Sequence, residues 1–319
     1  MRFKHTIHVL IDNFRVTYKL LLYILVVMAI TTGICMAIII PFLDKLSGVE
    51  AYEALIGSFD TMFKEMLNGN LMNLATHFSD IKESFTGLVQ YLGEHPTELA
   101  LSAAGLCVSM LLSDFFIGLG TYAAGSVIND KMAMHATSPF LATLIKNLGK
   151  AALYSVIYVP ISFVYTAVCL VVLYLLLFVA FNGLFLLIQI FLFVLFMMLL
   201  VGVKMMFISD WLPALICGKK KMGQAMAYSF TLESGRAAST FSFYASSIVL
   251  ILAVNMLGFI GTFGAALIIT VPLSFLYLLC YQFANYCDNN ELKYFTDKRT
   301  IVKPEHEKEA SRAEFLRGE

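Results

Sequence analysis

Four long stretches of the chain consist almost entirely of apolar residues and are separated by segments that carry most of the charge. The hydrocarbon core of a bilayer is about 30 Å thick, so a helix that crosses it needs roughly 20 consecutive apolar residues. Two stretches fit one such helix each, and the other two fit a pair, with turns expected at Phe181-Asn182-Gly183 and at Gly258, Gly261 and Gly264. Six membrane-spanning helices are therefore predicted. The four stretches are 20–43, 99–125, 151–203 and 237–286.

The charges of the connecting segments predict the orientation of these spans. Lysine and arginine are retained on the cytoplasmic side of a membrane. Residues 1–19 hold four basic side chains against one acidic, residues 126–150 three against one, and residues 209–236 four against two. The loop 44–98 holds three basic and nine acidic residues. Both termini are therefore predicted to be cytoplasmic in a bacterial cytoplasmic membrane, with the acidic loop outside.

The acidic outer loop carries apolar residues at helical spacing in two consecutive segments. Such spacing predicts two amphipathic helices joined by a short turn at Asn68-Gly69-Asn70. The helical hairpin is interpreted either as a packed cap over the bundle or as an external lid or partner-docking element. The apolar positions are Leu55, Ile56, Phe59, Met62, Phe63, Met66 and Leu67 in the first helix, and Leu71, Leu74, Phe78, Ile81, Phe85, Leu88 and Leu92 in the second.

A threefold pattern relates the segments that precede the first, third and fifth spans. Each segment is predicted to form a cytoplasmic helix at the membrane interface, because polar and apolar residues alternate in it and a basic residue lies near its end. Aligned on that basic residue, all three sequences have a tyrosine eight residues later. The segments are 6–17, 139–150 and 221–236, the basic residues are Arg15, Lys150 and Arg236, and the tyrosines are Tyr23, Tyr158 and Tyr244.

The predicted architecture is an all-α polytopic membrane helix bundle divided into six segments. It comprises six transmembrane helices, three cytoplasmic interfacial helices and an extracytoplasmic helical hairpin. The segments are 1–43 (interfacial helix and first span), 44–98 (acidic hairpin), 99–128 (second span), 129–208 (interfacial helix, third and fourth spans), 209–287 (interfacial helix, fifth and sixth spans) and 288–319 (a charged cytoplasmic tail, solvated or weakly helical).

Composition agrees with a membrane protein and excludes several other classes. Apolar residues make up 59% of the chain and charged residues 14%, the mean hydropathy is +0.80 and the net charge is zero. Disordered, collagenous and nucleic-acid-binding chains do not combine so much apolar surface with so little charge. None of the six cysteines lies in the predicted outer loop, so no disulfide framework is expected, and none forms a C-x-x-C pair, so no cysteine metal site is expected.

Residues 205–285 resemble a known bacterial membrane domain. The chain is similar there to the six-helix domain that anchors some glycerophosphodiester phosphodiesterases, and to its stand-alone relatives. The resemblance implies a membrane module of unassigned activity; the soluble phosphodiesterase barrel and its catalytic pairs are not found in this sequence, so the enzymatic activity does not transfer. The matching features are Trp211-Leu-Pro213, Lys219-Lys220-Lys221, Ala225, Ser229, Gly235, Phe243, the Gly258/Gly261/Gly264 turn, Pro272, and Tyr277 or Tyr281.

Asp114 is the one acidic residue within the predicted second span. An ionised carboxylate at the centre of a spanning helix costs at least about 2.5 kcal/mol, so such residues are usually paired or functional. Asp114 is interpreted either as a proton or cation relay or as a structural, hydrogen-bonded group. Lys204, toward the cytoplasmic end of the fourth span, is a candidate partner, although it more simply extends to the lipid headgroups.

Catalytic signatures are not found in the sequence, and the predicted function is non-enzymatic. His5 and His8 have metal-compatible spacing but no nearby acidic or cysteine ligand, so no metal and no cofactor are expected. The leading hypothesis is a membrane module that organises lipids or partner membrane proteins, with no role in nucleic-acid binding. The alternative is a small-solute or ion transporter with Asp114 as its coupling carboxylate. Candidate contacts to anionic lipids are Arg15, Lys150, Lys219, Lys220, Lys221 and Arg236.

Overall fold

The computed structural model describes residues 2–68, 74–176, 186–230, 234–298 and 300–303. Nearly all of this part of the chain is helical. The helices are α1 (Arg2–Asp12), α2 (Phe14–Leu46), α3 (Glu50–Leu67), α4 (Leu74–Glu94), α5 (Pro96–Met134), α6 (Phe140–Lys146), α7 (Leu148–Tyr174), α8 (Leu186–Ile208), α9 (Trp211–Ile216), α10 (Met222–Phe230), α11 (Ser234–Thr262) and α12 (Leu267–Asn289). The strands β1 (Tyr294–Phe295) and β2 (Ile301–Val302) pair antiparallel.

Six helices in the described ranges, α2, α5, α7, α8, α11 and α12, are long and apolar enough to cross a membrane. They contain 23 to 39 residues, and at about 1.5 Å per residue even the shortest exceeds the bilayer core. The prediction of a helical, multi-pass membrane protein is confirmed at this level.

The predicted turns between paired spans have different outcomes. Between α11 and α12 the chain turns where the glycines predicted it, and Gly264 adopts a φ of 89° that side chains other than glycine rarely tolerate. The predicted break at Phe181-Asn182-Gly183 lies outside the described residues.

Two compact units make up the chain: residues 1–26 with 114–319, and residues 27–113. In the larger unit, the core is rich in aromatic side chains around α12. Phe243 stacks on Tyr281 with ring centroids 3.4 Å apart, and Tyr244 meets the same Tyr281 ring edge-on at 5.1 Å. Trp211 and Phe283 are also buried. Edge-to-face and stacked aromatic pairs stabilise a core beyond their buried area.

Small residues allow the second half of α5 to pack closely against its neighbours. A methyl group added at Gly118 would lie 2.5 Å from Ser155 Oγ on α7, and one added at Gly120 would collide with the Tyr23 ring on α2. Ala123 is fully buried. Small side chains permit such close helix approach within membranes.

Short helices precede α2, α7 and α11, as the threefold pattern predicts, but two of them end at an asparagine that the prediction had placed inside the helix. The Asn13 side chain donates to Val9 O at 2.9 Å, and the Asn147 side chain donates to Thr143 O at 3.1 Å. Each asparagine thus caps the last turn of the short helix before the long helix begins, because its amide competes with regular helical hydrogen bonding.

The segment after α12 differs from the predicted solvated or weakly helical tail. Residues 294–302 include the β1–β2 hairpin, and Tyr294 is only 1% exposed. Its hydroxyl donates to Asp288 Oδ1 at 2.8 Å and lies 3.2 Å from His5 Nδ1 on α1. One buried tyrosine, Tyr294, anchors the hairpin. The mixed charge of the segment gave no indication of this hairpin in the sequence. Residues 304–319 lie outside the described part.

The smaller unit contains the packed pair α3 and α4, so the two amphipathic helices predicted for the acidic loop are present. Met62 and Leu88 are buried, and His77 Nε2 lies 2.8 Å from Glu65 Oε2. Other members of the predicted apolar stripes remain exposed, including Phe63 at 63%. The stripes are therefore wider than the contact between the two helices.

Candidate functional site

A cavity of about 810 Å³ opens in the larger unit where the ends of several helices meet. Its walls come from the end of α5, from α6, from the start of α7 and from the segment joining α9 to α10. Five lysines line the cavity against a single acidic residue, Asp130, which accepts a hydrogen bond from Ser138. The lysines of this basic pocket are Lys146, Lys150, Lys219, Lys220 and Lys221.

The lysine run owes its position to the tight connection between α9 and α10. Lys220 N donates to Ala214 O at 3.1 Å, and Lys219 adopts a left-handed backbone with φ 50°. Lys221 N donates to Gln224 Oε1 at 3.2 Å, which is the backward contact of a capping box at the start of α10. In an extended loop, the side chains of three consecutive lysines would point in different directions. The tight turn brings all three lysines to the wall of the pocket.

Lys220 is held by an aromatic neighbour. Its ammonium nitrogen lies 3.8 Å from the centroid of the Tyr228 ring, within the range of a cation–π interaction. Burial raises the pKa of the Tyr228 phenol, so the ring stays neutral at physiological pH. Among the described residues, none of the five pocket lysines forms an ion pair with a carboxylate.

The two remaining lysines are placed by the break at Asn147. Lys146 ends α6 and Lys150 lies in the first turn of α7. Both side chains belong to the pocket wall. Because the chain changes helix between them, two different helices bring these two cations to the pocket.

Apolar and aromatic residues line the pocket together with the lysines. Tyr122 on α5 and Tyr154 on α7 have ring centroids 6.2 Å apart, and Leu153 and Ile216 also belong to the lining. A lining that combines basic with aromatic and aliphatic side chains complements a ligand that carries an anionic group on an apolar body. The volume also falls within the range of small-molecule sites, which is about 300–1,000 Å³.

Four of the six predicted lipid-contact residues, Lys150 and Lys219–Lys221, line the pocket, whereas Arg15 and Arg236 do not. Arg236 instead donates to Asn289 O at 3.4 Å. Lys146 was missed, although it lies four residues before Lys150 in the sequence. In the sequence, the basic excess of residues 126–150 was the signal that could have identified Lys146 as a member of the basic pocket.

Cys217 lies directly after α9, beside the pocket residue Asn129. Its thiol donates to Asn129 Oδ1 at 2.9 Å. A hydrogen bond with Cys287 and burial together raise the pKa of the Cys217 thiol. The group is therefore a neutral hydrogen-bonding neighbour of the pocket and a poor nucleophile.

Asp114 and Lys204 interact electrostatically across the interval between α5 and α8. Lys204 Nζ lies 3.5 Å from Thr166 Oγ1 on α7. Asp114 itself is exposed on the surface of the larger unit. The structure thus places the two sequence candidates as neighbours of opposite charge, about midway along α5.

The two amino-terminal histidines face different partners. His5 contacts Tyr294, and His8 Nδ1 lies 3.5 Å from Asp297 Oδ2. The described ranges contain no group of three or more histidine, cysteine or acidic side chains that could hold a metal ion.

Comparisons of the chain with models of protein families, with curated proteins and with solved structures find no match.

Proposed function

We propose that this protein is a non-enzymatic membrane module whose basic pocket binds the headgroup of an anionic phospholipid, and that it thereby organises lipids or partner proteins in a bacterial cytoplasmic membrane. The observation that carries the proposal is the convergence of five lysines and one aspartate around a cavity of about 810 Å³.

Electrostatics favours an anionic lipid for this pocket. Each lysine near a membrane surface contributes about 1 kcal/mol to the attraction of anionic lipid. The pocket lysines belong to the loop segments whose basic excess predicts a cytoplasmic location. In this orientation the pocket meets the headgroup layer of the inner leaflet, and both termini lie on the same side.

The shape of the pocket favours a lipid over a soluble anion. The lysine ammonium groups of the lining suit a phosphate, while Tyr122, Tyr154 and Leu153 of the same lining suit glycerol and the first acyl carbons. A soluble phosphate would leave these apolar side chains without a ligand contact. The resemblance of residues 205–285 to a membrane-anchoring domain agrees with a role in the bilayer.

Native mass spectrometry of the purified protein tests the proposal. The protein is incubated in detergent with equal amounts of phosphatidylglycerol and phosphatidylcholine, and the retained lipids are counted. We expect selective retention of phosphatidylglycerol by the wild type. In the triple variant Lys150→Gln, Lys219→Gly, Lys221→Gln, the loss of about 1 kcal/mol per lysine weakens retention on the order of 100-fold.

The matched control removes charge elsewhere on the same unit. Arg15 and Lys19 are exposed on α2 and do not line the pocket. The variant Arg15→Gln, Lys19→Gln should retain phosphatidylglycerol within about twofold of the wild type, since neither side chain lines the pocket in which the phosphate is proposed to bind. Equal losses in both variants, or no preference for the anionic lipid in the wild type, would overturn the proposal.

A second candidate function, transport of a small solute or ion, is supported by the Asp114–Lys204 pair. A carboxylate on a spanning helix with a nearby ammonium group is a plausible coupling site for a cation or proton. Its test is flux in proteoliposomes across a pH gradient. If Asp114→Asn leaves both the flux and its pH dependence unchanged, Asp114 has no coupling role.

A further inference from the structure

Polar side chains form a row along α7. They recur every three or four residues, so each member lies next to the one before it, and the row winds around the helix by about 160° between Lys150 and Thr166. The row begins at the basic pocket and continues into the part of α7 that is otherwise apolar. Its members are Lys150, Tyr154, Tyr158, Ser162, Thr166 and Cys169.

Contacts make the upper part of the row continuous. Tyr154, in the pocket wall, stacks on Tyr158 with ring centroids 5.2 Å apart. Tyr158 forms a side-chain hydrogen bond with Ser162 and lies close enough to Asp114 on α5 for electrostatic interaction. Side chains that carry a hydroxyl therefore follow one another at each helical turn from the pocket to Ser162.

Lys204 extends the row through its deeper part. Its ammonium group lies 3.5 Å from Thr166 Oγ1 and interacts with both Asp114 and Cys169. From Lys150 to Thr166 the row covers about 24 Å at about 1.5 Å per residue, most of the thickness of a bilayer core of about 30 Å. We call this row, with Asp114 and Lys204, the polar track.

The polar track is open to its surroundings at some of its members. Asp114 and Thr166 are exposed and Ser162 and Lys204 are half-buried, whereas Tyr154 and Cys169 are buried. Polar and charged groups are costly to expose to hydrocarbon and usually face the bundle interior or a water-filled cavity. Charged groups with a purely structural role would be expected inside the bundle, out of reach of lipid. Exposure on a spanning helix instead suits a path that a polar group occupies.

We propose that the polar track guides phospholipid headgroups between the basic pocket and the depth of the membrane, so that the protein exchanges phospholipids between the two leaflets. This inference rests on the proposed lipid binding by the pocket. The headgroup moves along the track from one hydroxyl or charge to the next, while the acyl chains stay in the surrounding hydrocarbon. The exchange runs down a concentration gradient and needs no coupled reaction.

Transbilayer exchange is measured in proteoliposomes of phosphatidylglycerol and phosphatidylcholine that contain a trace of phosphatidylglycerol labelled with a fluorophore on its headgroup. Dithionite added outside bleaches only the label in the outer leaflet. In protein-free vesicles the loss stops at the outer-leaflet share of the label. With wild-type protein we expect the loss to continue until nearly all of the label is bleached.

Two variants of α7 test whether exchange depends on the polar track or on other parts of the helix surface. Ser162→Leu with Thr166→Val removes two hydroxyls from half-buried and exposed positions, and we expect the exchange rate to fall at least tenfold. Val156→Leu with Val164→Leu enlarges two exposed positions on the apolar face of α7, and the rate should stay within twofold. Thermal unfolding of both variants verifies that each remains folded.

The failure of this inference is distinguishable from failure of the proposed function. If the wild type retains phosphatidylglycerol in native mass spectrometry but produces no exchange, the polar track has no transport role and the pocket remains a binding site. Equal exchange by the track variant and the apolar-face variant would also overturn the inference. If the wild type retains no anionic lipid, the proposed function fails first.

Discussion

Lys219 occupies a backbone conformation that glycine adopts at lower cost. Its φ of 50° lies in the left-handed region, where a residue with a Cβ is disfavoured by about 1 kcal/mol or more. The same side chain lines the basic pocket. If Lys219 contributes its charge to lipid binding, replacing it with glycine should change the stability of the protein and its lipid affinity in opposite directions.

Lys219→Gly should therefore raise the stability of the protein while weakening lipid binding. The expected gain is about 1 kcal/mol in the free energy of unfolding, and the loss of one cation lowers phosphatidylglycerol affinity about fivefold. Thermal unfolding in detergent and native mass spectrometry measure the two effects. A variant that is more stable and binds equally well would show that Lys219 does not contact the lipid.

Gly218→Ala should destabilise the connection on which the lysine run depends. A Cβ at this position would lie 2.7 Å from Ala214 O and would collide with the Tyr286 hydroxyl. Such overpacking costs about 1–3 kcal/mol. Gly223→Ala is the control, because no atom lies within 4 Å of its added Cβ. A thermal midpoint unchanged by Gly218→Ala would contradict the close packing of Tyr286 against this turn.

At the scale of residues, the sequence indicated which side chains could take part in binding better than it indicated which of them lie close together in the fold. The run Lys219–Lys221 was recognisable as a basic cluster, and Asp114 stood out because its neighbours are apolar. The meeting of Lys146 and Lys150 with that run was not predictable, because it depends on how α6 and α7 pack against the turn after α9. The asparagine breaks and the left-handed backbone of Lys219 decide that geometry.

Among the helices, α1 is joined to the end of α5 by one partly buried ion pair. Lys131 Nζ lies 3.0 Å from Asp12 Oδ2 and also donates to the backbone carbonyl of Asp12. Both side chains are mostly shielded from water. A lysine at the carboxyl end of a helix also interacts favourably with the helix dipole.

A double-mutant cycle on Asp12→Asn and Lys131→Met measures this connection. Each single change should cost about 1–3 kcal/mol of stability, since it removes the closest charged partner of a partly buried charge, leaving Asp12 with His135 at 3.9 Å or Lys131 with the Asp12 carbonyl. The double variant should cost less than the sum of the two. Additive effects in thermal or denaturant unfolding would mean that the pair does not couple the two helices.

How well each helix or strand could be predicted depends on how clear its pattern of apolar residues is in the sequence. The long helices were evident because uninterrupted apolar runs have one stable form in a bilayer. The short helix α9 and the β1–β2 hairpin were missed, since α9 continues the apolar run of α8 and the hairpin is fixed by Tyr294 within a charged segment. The helix predicted for 221–236 is described only to Phe230, with α11 beginning at Ser234.

For the whole molecule, the distribution of loop charge predicts which side of the membrane each segment occupies. A green fluorescent protein fused after Glu319 should fluoresce, because it folds only in the cytoplasm. Alkaline phosphatase inserted after Asn68, in the acidic loop, should be active, because it folds only outside. The reverse pattern would place the basic pocket in the outer leaflet and remove the topological support for the proposed lipid contact.

The most direct test of the central claim is the structure of the protein in phosphatidylglycerol bilayers, determined by electron cryomicroscopy with a bound antibody fragment. We predict phosphate density within hydrogen-bonding distance of the ammonium groups of Lys150, Lys219 and Lys221, with the glycerol against Tyr122 and Tyr154. The density should be absent in the triple variant Lys150→Gln, Lys219→Gly, Lys221→Gln. A wild-type pocket that contains only water, with anionic lipid ordered elsewhere on the surface, would contradict the account.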